Sequence, residues 1–103
     1  MKIIIQDEYL GILAEQTELT GKQKYPAEVI TKYKMRINQI SQASNTQDLR
    51  AIKSLHFEKL KEARYKDKYS IRLNKAYRLI FAIGKDEQTL EIVIIEDINN
   101  HYG

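Results

Sequence analysis

The chain is predicted to fold as an α+β domain: a small antiparallel β-sheet with two or three N-terminal helices packed on one face. Three observations predict it. In the first half, Ile30, Tyr33, Ile37 and Ile40 recur at spacings of three and four, the stripe of an amphipathic helix. In the second half, Tyr69, Ile71 and Leu73, then Tyr77, Leu79, Phe81 and Ile83, alternate with other residues, the period of half-buried strands. Helical and strand patterns are therefore segregated along the chain, as in an α+β fold. The 103 residues make one domain, 1–103, large enough for a modest core.

The elements follow in order. Lys2 to Gln6 is expected as a short edge strand. Asp7-Glu8 follow it at once, so the apolar segment is too short for a signal peptide. Asp7 caps a first helix with Leu10, Leu13 and Ile12 on its inner face, and Gly21 ends it. Pro26 opens the second helix. Ser41 to Thr46 is polar and breaks the pattern, and Asn45 or Thr46 caps a short third helix with Leu49 and Ile52. Leu55 to Lys61 fits neither period. Lys61 to Lys68 is charged and reads as a loop. A hairpin follows, turning at Asn74-Lys75. Gly84 to Gln88 is a turn. Leu90 to Ile95 is β-branched and nearly all apolar, hence a central strand. Glu96 to Gly103 is expected to leave the sheet as a turn or a single helical turn.

Composition narrows the function. There are no cysteines, so neither a disulfide framework nor a thiolate zinc site is available, which suits a cytoplasmic protein. No apolar run approaches the roughly 18 residues of a membrane span. The net charge is +3, but it is unevenly spread. Arg50 to Arg78 holds ten Lys/Arg against three Asp/Glu. Such a block suggests a polyanion partner, most often nucleic acid; the plainer reading is a solvated, lysine-rich surface.

Within that block Arg78 is the odd member of an otherwise apolar strand face. A guanidinium there is either paired, with Glu91 or Glu96 as candidates, or presented to an anion. Glu58, Arg72, His101 and Tyr102 also stand out, with Lys59 and Lys61 beside the first. If the tail folds back over the sheet, these are the parts for cutting RNA without a metal. Each also has a duller role. Glu58 among lysines suits a surface ion pair. Arg72 suits a solvated strand face, and a histidine at a chain end is usually idle. His56, between Leu55 and Phe57, suits packing. Glu96-Asp97 lacks a firm third ligand and reads as a cap, so no metal and no cofactor are expected.

Four segments in order carry a family resemblance: Glu58-Lys59-Leu60-Lys61, Tyr69-Ser70-Ile71-Arg72, Tyr77-Arg78-Leu79-Ile80-Phe81 and the terminal His101-Tyr102. With Leu55-His56, they make the chain resemble the RelE/ParE superfamily of bacterial toxins, in its HigB and YoeB branches. The likeness covers roughly residues 50 to 103. It implies the RelE-like toxin fold and the toxin of a type II toxin–antitoxin pair, a cytoplasmic endoribonuclease that cleaves mRNA in the ribosomal A site. By the same resemblance Glu58 is the general base, Arg78 the phosphate clamp, His101 the general acid and Tyr102 the substrate-orienting residue. Lys59, Lys61 and Arg72 hold the RNA backbone, and His56 joins them if it takes its HigB-like role. The implied partners are an antitoxin, of helix-turn-helix type if HigA-like, the 70S ribosome and mRNA, with no membrane. Two other functions fit the chain: a ParE-like inhibitor of DNA gyrase, and a non-catalytic nucleic-acid-binding module.

Overall fold

A computed structural model of the chain describes residues 1–17 and 20–100. Ile3 and Ile5 of strand β1 (Lys2–Ile5) turn towards the helices. Asp7 then caps helix α1 (Glu8–Glu15), its Oδ1 accepting from the Leu10 amide at 2.9 Å. Leu10 and Leu13 are buried as expected, but Ile12 is exposed. The helix stops at Gln16 rather than at Gly21. Gln16 already has an extended backbone, so the left-handed Gly21 (φ 78°) serves the following connection instead.

Pro26 is the N-cap of helix α2 (Ala27–Gln42), which buries Val29, Ile30, Tyr33 and Ile40. The Tyr33 hydroxyl donates to the Leu10 carbonyl at 2.7 Å, joining the two helices deep in the core. Helix α3 (Thr46–Ala51) is capped by Asn45, whose Oδ1 accepts from the Asp48 amide.

The remaining strands are β2 (Glu58–Lys59), β3 (Tyr69–Arg72), β4 (Tyr77–Lys85) and β5 (Glu91–Asn100). They make a five-stranded sheet in the order β1-β5-β4-β3-β2. All neighbours are antiparallel except β1 and β5. The exception is β1, which reaches the sheet before the helices do and lies parallel beside the last strand. Tyr69, Ile71, Leu79, Phe81, Ile83, Val93 and Ile95 pack against the helices in one core. The other face of the sheet carries Ser70, Arg72, Arg78 and Ile80, of which only Arg72 is exposed.

Three expectations are corrected. The unassigned stretch Leu55 to Lys61 contains edge strand β2, with Glu58 opposite Ser70. The charged stretch Lys61 to Lys68 holds a 3-10 turn at Ala63–Tyr65. The chain does not leave the sheet at Glu96: β5 continues to Asn100, opposite Tyr77. A bulge explains the third. Phe81 faces Ile95 and Ile80 faces Asp97, so Glu96 is one extra residue. Ile95 and Ile98, three apart, therefore both reach the core, and period-two alternation fails where the strand goes on.

Candidate functional site

The site is built on β2, β3 and β4, on the face turned away from the helices. Leu55, fully buried, anchors a 3-10 turn at Lys53–Leu55. The chain then reverses at His56, a left-handed residue with φ 47° and ψ 51°. Non-glycine residues rarely adopt this conformation, and it marks strain held in place by its surroundings. Phe57 turns inward, its ring 5.7 Å from Tyr69 and 5.6 Å from Phe81. His56 and Glu58, on either side of it, stay exposed. Phe57, not His56, does the packing, which corrects the expectation for His56.

Arg72 and Arg78 are directly opposite each other on β3 and β4. Like charges facing across a sheet destabilise it, so this pair needs compensation. Arg72 Nη1 lies 3.2 Å from His56 Nε2. An arginine can only donate, so that nitrogen is the acceptor in this contact. Arg78 is only 7% exposed. Its Nη2 donates to Glu62 Oε1 at 3.2 Å and its Nε to Asn99 Oδ1 at 3.3 Å. The Tyr65 ring centroid is 5.6 Å from its guanidinium carbon. The partner of Arg78 is thus Glu62, not Glu91 or Glu96. Glu91 instead accepts from the Thr46 amide and hydroxyl, and Glu96 pairs with Lys68.

Burial pushes the Glu62 carboxyl up, but the Arg78 hydrogen bond and charge outweigh it, leaving Glu62 below the usual carboxylate range. Behind the site, Arg36 of α2 is buried without an acidic partner among the described residues. It donates to the Arg72 carbonyl at 2.9 Å and the Ser54 carbonyl at 3.5 Å. One side chain therefore ties the end of β3 to the turn that carries His56.

His56, Glu58, Arg72 and Arg78 line one cleft of about 150 Å³, with Ser70, Asn74, Lys75 and Tyr77. A second cleft shares Glu58 and Arg78 and adds Lys59, Lys61 and Glu62. Six of the eight sequence-derived site residues thus meet at adjoining clefts. The other two, His101 and Tyr102, lie outside the described residues. Glu58 has no ion pair among the described residues, so the surface-pair expectation does not hold. Sequence reasoning missed Glu62, Asn74 and Asn99. Asn74 was detectable as the turn residue, its Oδ1 accepting from the Ala76 and Tyr77 amides. Asn99 was hidden by the bulge. Among the described residues no three His, Cys, Asp or Glu side chains are grouped to hold a metal, and no helix is long and apolar enough to cross a membrane.

No curated protein gives a significant match to the chain. A family model does match, over residues 5–95, and it describes the RelE-like toxin HigB of type II toxin–antitoxin systems. That span takes in all three helices and both cleft-lining strands of the hairpin. The chain belongs to the HigB-like family, RelE-like toxins of type II toxin–antitoxin systems.

Proposed function

We propose that this toxin is an endoribonuclease that cuts mRNA in the ribosomal A site by acid–base catalysis and so stops translation. One observation carries the reading: two arginines face each other across the sheet in a cleft that also holds a carboxylate and an imidazole. Such a pair is costly alone and favourable around a phosphodiester.

Glu58 takes the proton from the RNA 2′-hydroxyl. The 2′-oxygen attacks phosphorus and forms a 2′,3′-cyclic phosphate, and the bond to the 5′-oxygen breaks. Arg78 and Arg72 stabilise the charge that grows on the phosphoryl oxygens. Lys59 and Lys61 hold the RNA backbone on the Glu58 side. His56, with Nε2 already accepting from Arg72, suits a positioning role better than that of an acid. The proton for the leaving oxygen is assigned, from the family resemblance, to His101, with Tyr102 orienting the substrate. These two follow Asn100, whose β5 position is opposite the cleft residue Tyr77. The cognate antitoxin is expected to be acidic where it covers the Arg50–Arg78 block.

The test is to add antitoxin-free protein to translating ribosomes and map the mRNA ends. New ends at the A-site codon are expected. Arg78→Ala should cut on the order of 10²–10³ more slowly while keeping its circular dichroism. Intact mRNA combined with loss of gyrase supercoiling would instead support a ParE-like activity on the same fold.

A further inference from the structure

We infer that Glu62 is a built-in phosphate mimic that fills the Arg78 seat in the free protein and must swing out when RNA binds. The inference rests on the reading of this face as an RNA site and deepens it.

Arg78 is at once the cation best placed for a phosphate and the least accessible one in the cleft. Its exposure is 7%, and its Nη2 and Nε are already engaged by Glu62 and Asn99. The cover comes from one segment. After β2, Leu60 is buried and its amide bonds the Lys68 carbonyl at 3.0 Å. Between these anchors the chain makes the excursion that brings Glu62 and Tyr65 against Arg78.

The two ends of the ion pair are unequal. Arg78 is 8% exposed at its side chain and Glu62 44%. Here the cation is fixed in the sheet and the anion is half in water. A carboxylate and a phosphate oxygen accept from the same guanidinium N–H groups. Exchanging one for the other leaves Arg78 paired throughout and returns Glu62 to solvent at little cost. Arg64 is the other cation acting on Glu62, and its guanidinium, 4.7 Å from the ring centroid of the adjacent Tyr65, gives the released carboxylate a nearby positive charge.

The experiment measures binding, not cleavage, so it is independent of whether ribosomes are the target. The probe is a fluorescein-labelled RNA hexanucleotide, 2′-O-methylated at every position and therefore uncleavable, followed by anisotropy. Glu62→Gln should bind about 2- to 10-fold more tightly than the parent, the range expected for releasing an exposed ion pair. Asp67→Asn, in the same segment, removes the same charge without touching Arg78 and serves as the control. Its gain should be smaller. On an Arg78→Met background the Glu62→Gln gain should fall to the level of Asp67→Asn, as a pairwise coupling requires. Glu62→Ala should repeat the result if the glutamine perturbs the turn. A gain equal to that of Asp67→Asn in the parent, a gain that stays above it on the Arg78→Met background, or no gain at all would overturn the inference. A failure of A-site cleavage with these binding results intact would overturn only the ribosomal reading.

Discussion

At the scale of single residues, the site is held by side chains in uncomfortable positions. His56 is the clearest. Its φ of 47° costs a non-glycine residue about 1–2 kcal/mol, and nothing in the 3-10 turn demands an imidazole. His56→Gly relieves the strain but loosens the unfolded chain, so stability should rise by between about 0 and 1 kcal/mol. The Arg72 contact is lost with the ring, and mRNA cleavage should fall. Urea unfolding and the A-site assay on the same variant check both halves. A variant that is less stable and fully active would show that the turn, not the site, needs the histidine. Arg72, Arg78 and Glu58 could be singled out from the chain alone, because charge in an apolar or basic context is visible one residue at a time, whereas His56 reads as a packing residue and enters the site only through the family resemblance. Glu62 could not be singled out. Its importance comes from a contact with Arg78 sixteen residues away, and it looks like any other acid in a charged stretch.

At the scale of elements, what was legible followed periodicity. The α2 stripe, the Asp7 cap and the β3–β4 hairpin all obey a local rule, and all are found where that rule puts them. The end of β5 breaks the rule through a single inserted residue. Glu96 shifts the register between Ile80 and Phe81, which turns Ile98 into the core and puts Asn99 opposite Arg78. Read by alternation, the same residues leave the sheet. The bulge makes a specific prediction. Deleting Glu96 removes only the unpaired residue, so Ile95, Asp97 and Ile98 then alternate without interruption, Ile98 stays in the core and Asn99 stays opposite Arg78. Only the partly exposed Lys68 pair is given up, so the deletion should cost about 1 kcal/mol, and a larger loss would show that the inserted backbone itself is needed. Glu96→Gly keeps the extra residue and gives up the Lys68 pair, which is 30% and 23% exposed, and should cost about 1 kcal/mol. Thermal unfolding of the two variants side by side separates the role of the inserted backbone from that of the side chain.

At the scale of the whole molecule, the helical layer and the mouth of the cleft meet at a cluster of tyrosines. Tyr25, in the connection between α1 and α2, lies 6.2 Å from the Tyr9 ring and 6.0 Å from that of the cleft residue Tyr77. Its hydroxyl donates to the Ile98 carbonyl at 3.4 Å, just after the bulge. Burial, followed by the negative charges of Asp97 and Asp7, raises the Tyr25 phenol from 10.0 to about 12. Tyr33, which donates to Leu10 in the core, is raised too, again chiefly by burial. The fold thus favours the protonated phenols. Their contribution is complete below pH 10, where both folded and unfolded chains keep the proton. It is lost as the pH rises from 10 through 12, because the unfolded chain ionises first. Urea midpoints should therefore drop between pH 10 and 12, and the drop should be shallower in Tyr25→Phe, which has no proton to lose. The remaining slope belongs to Tyr33 and the other basic-range groups, so the informative quantity is the difference between parent and variant at each pH. Equal slopes would mean that the Ile98 contact opens before the phenol ionises, and that the tyrosine cluster does not tie the helical layer to the bulged strand.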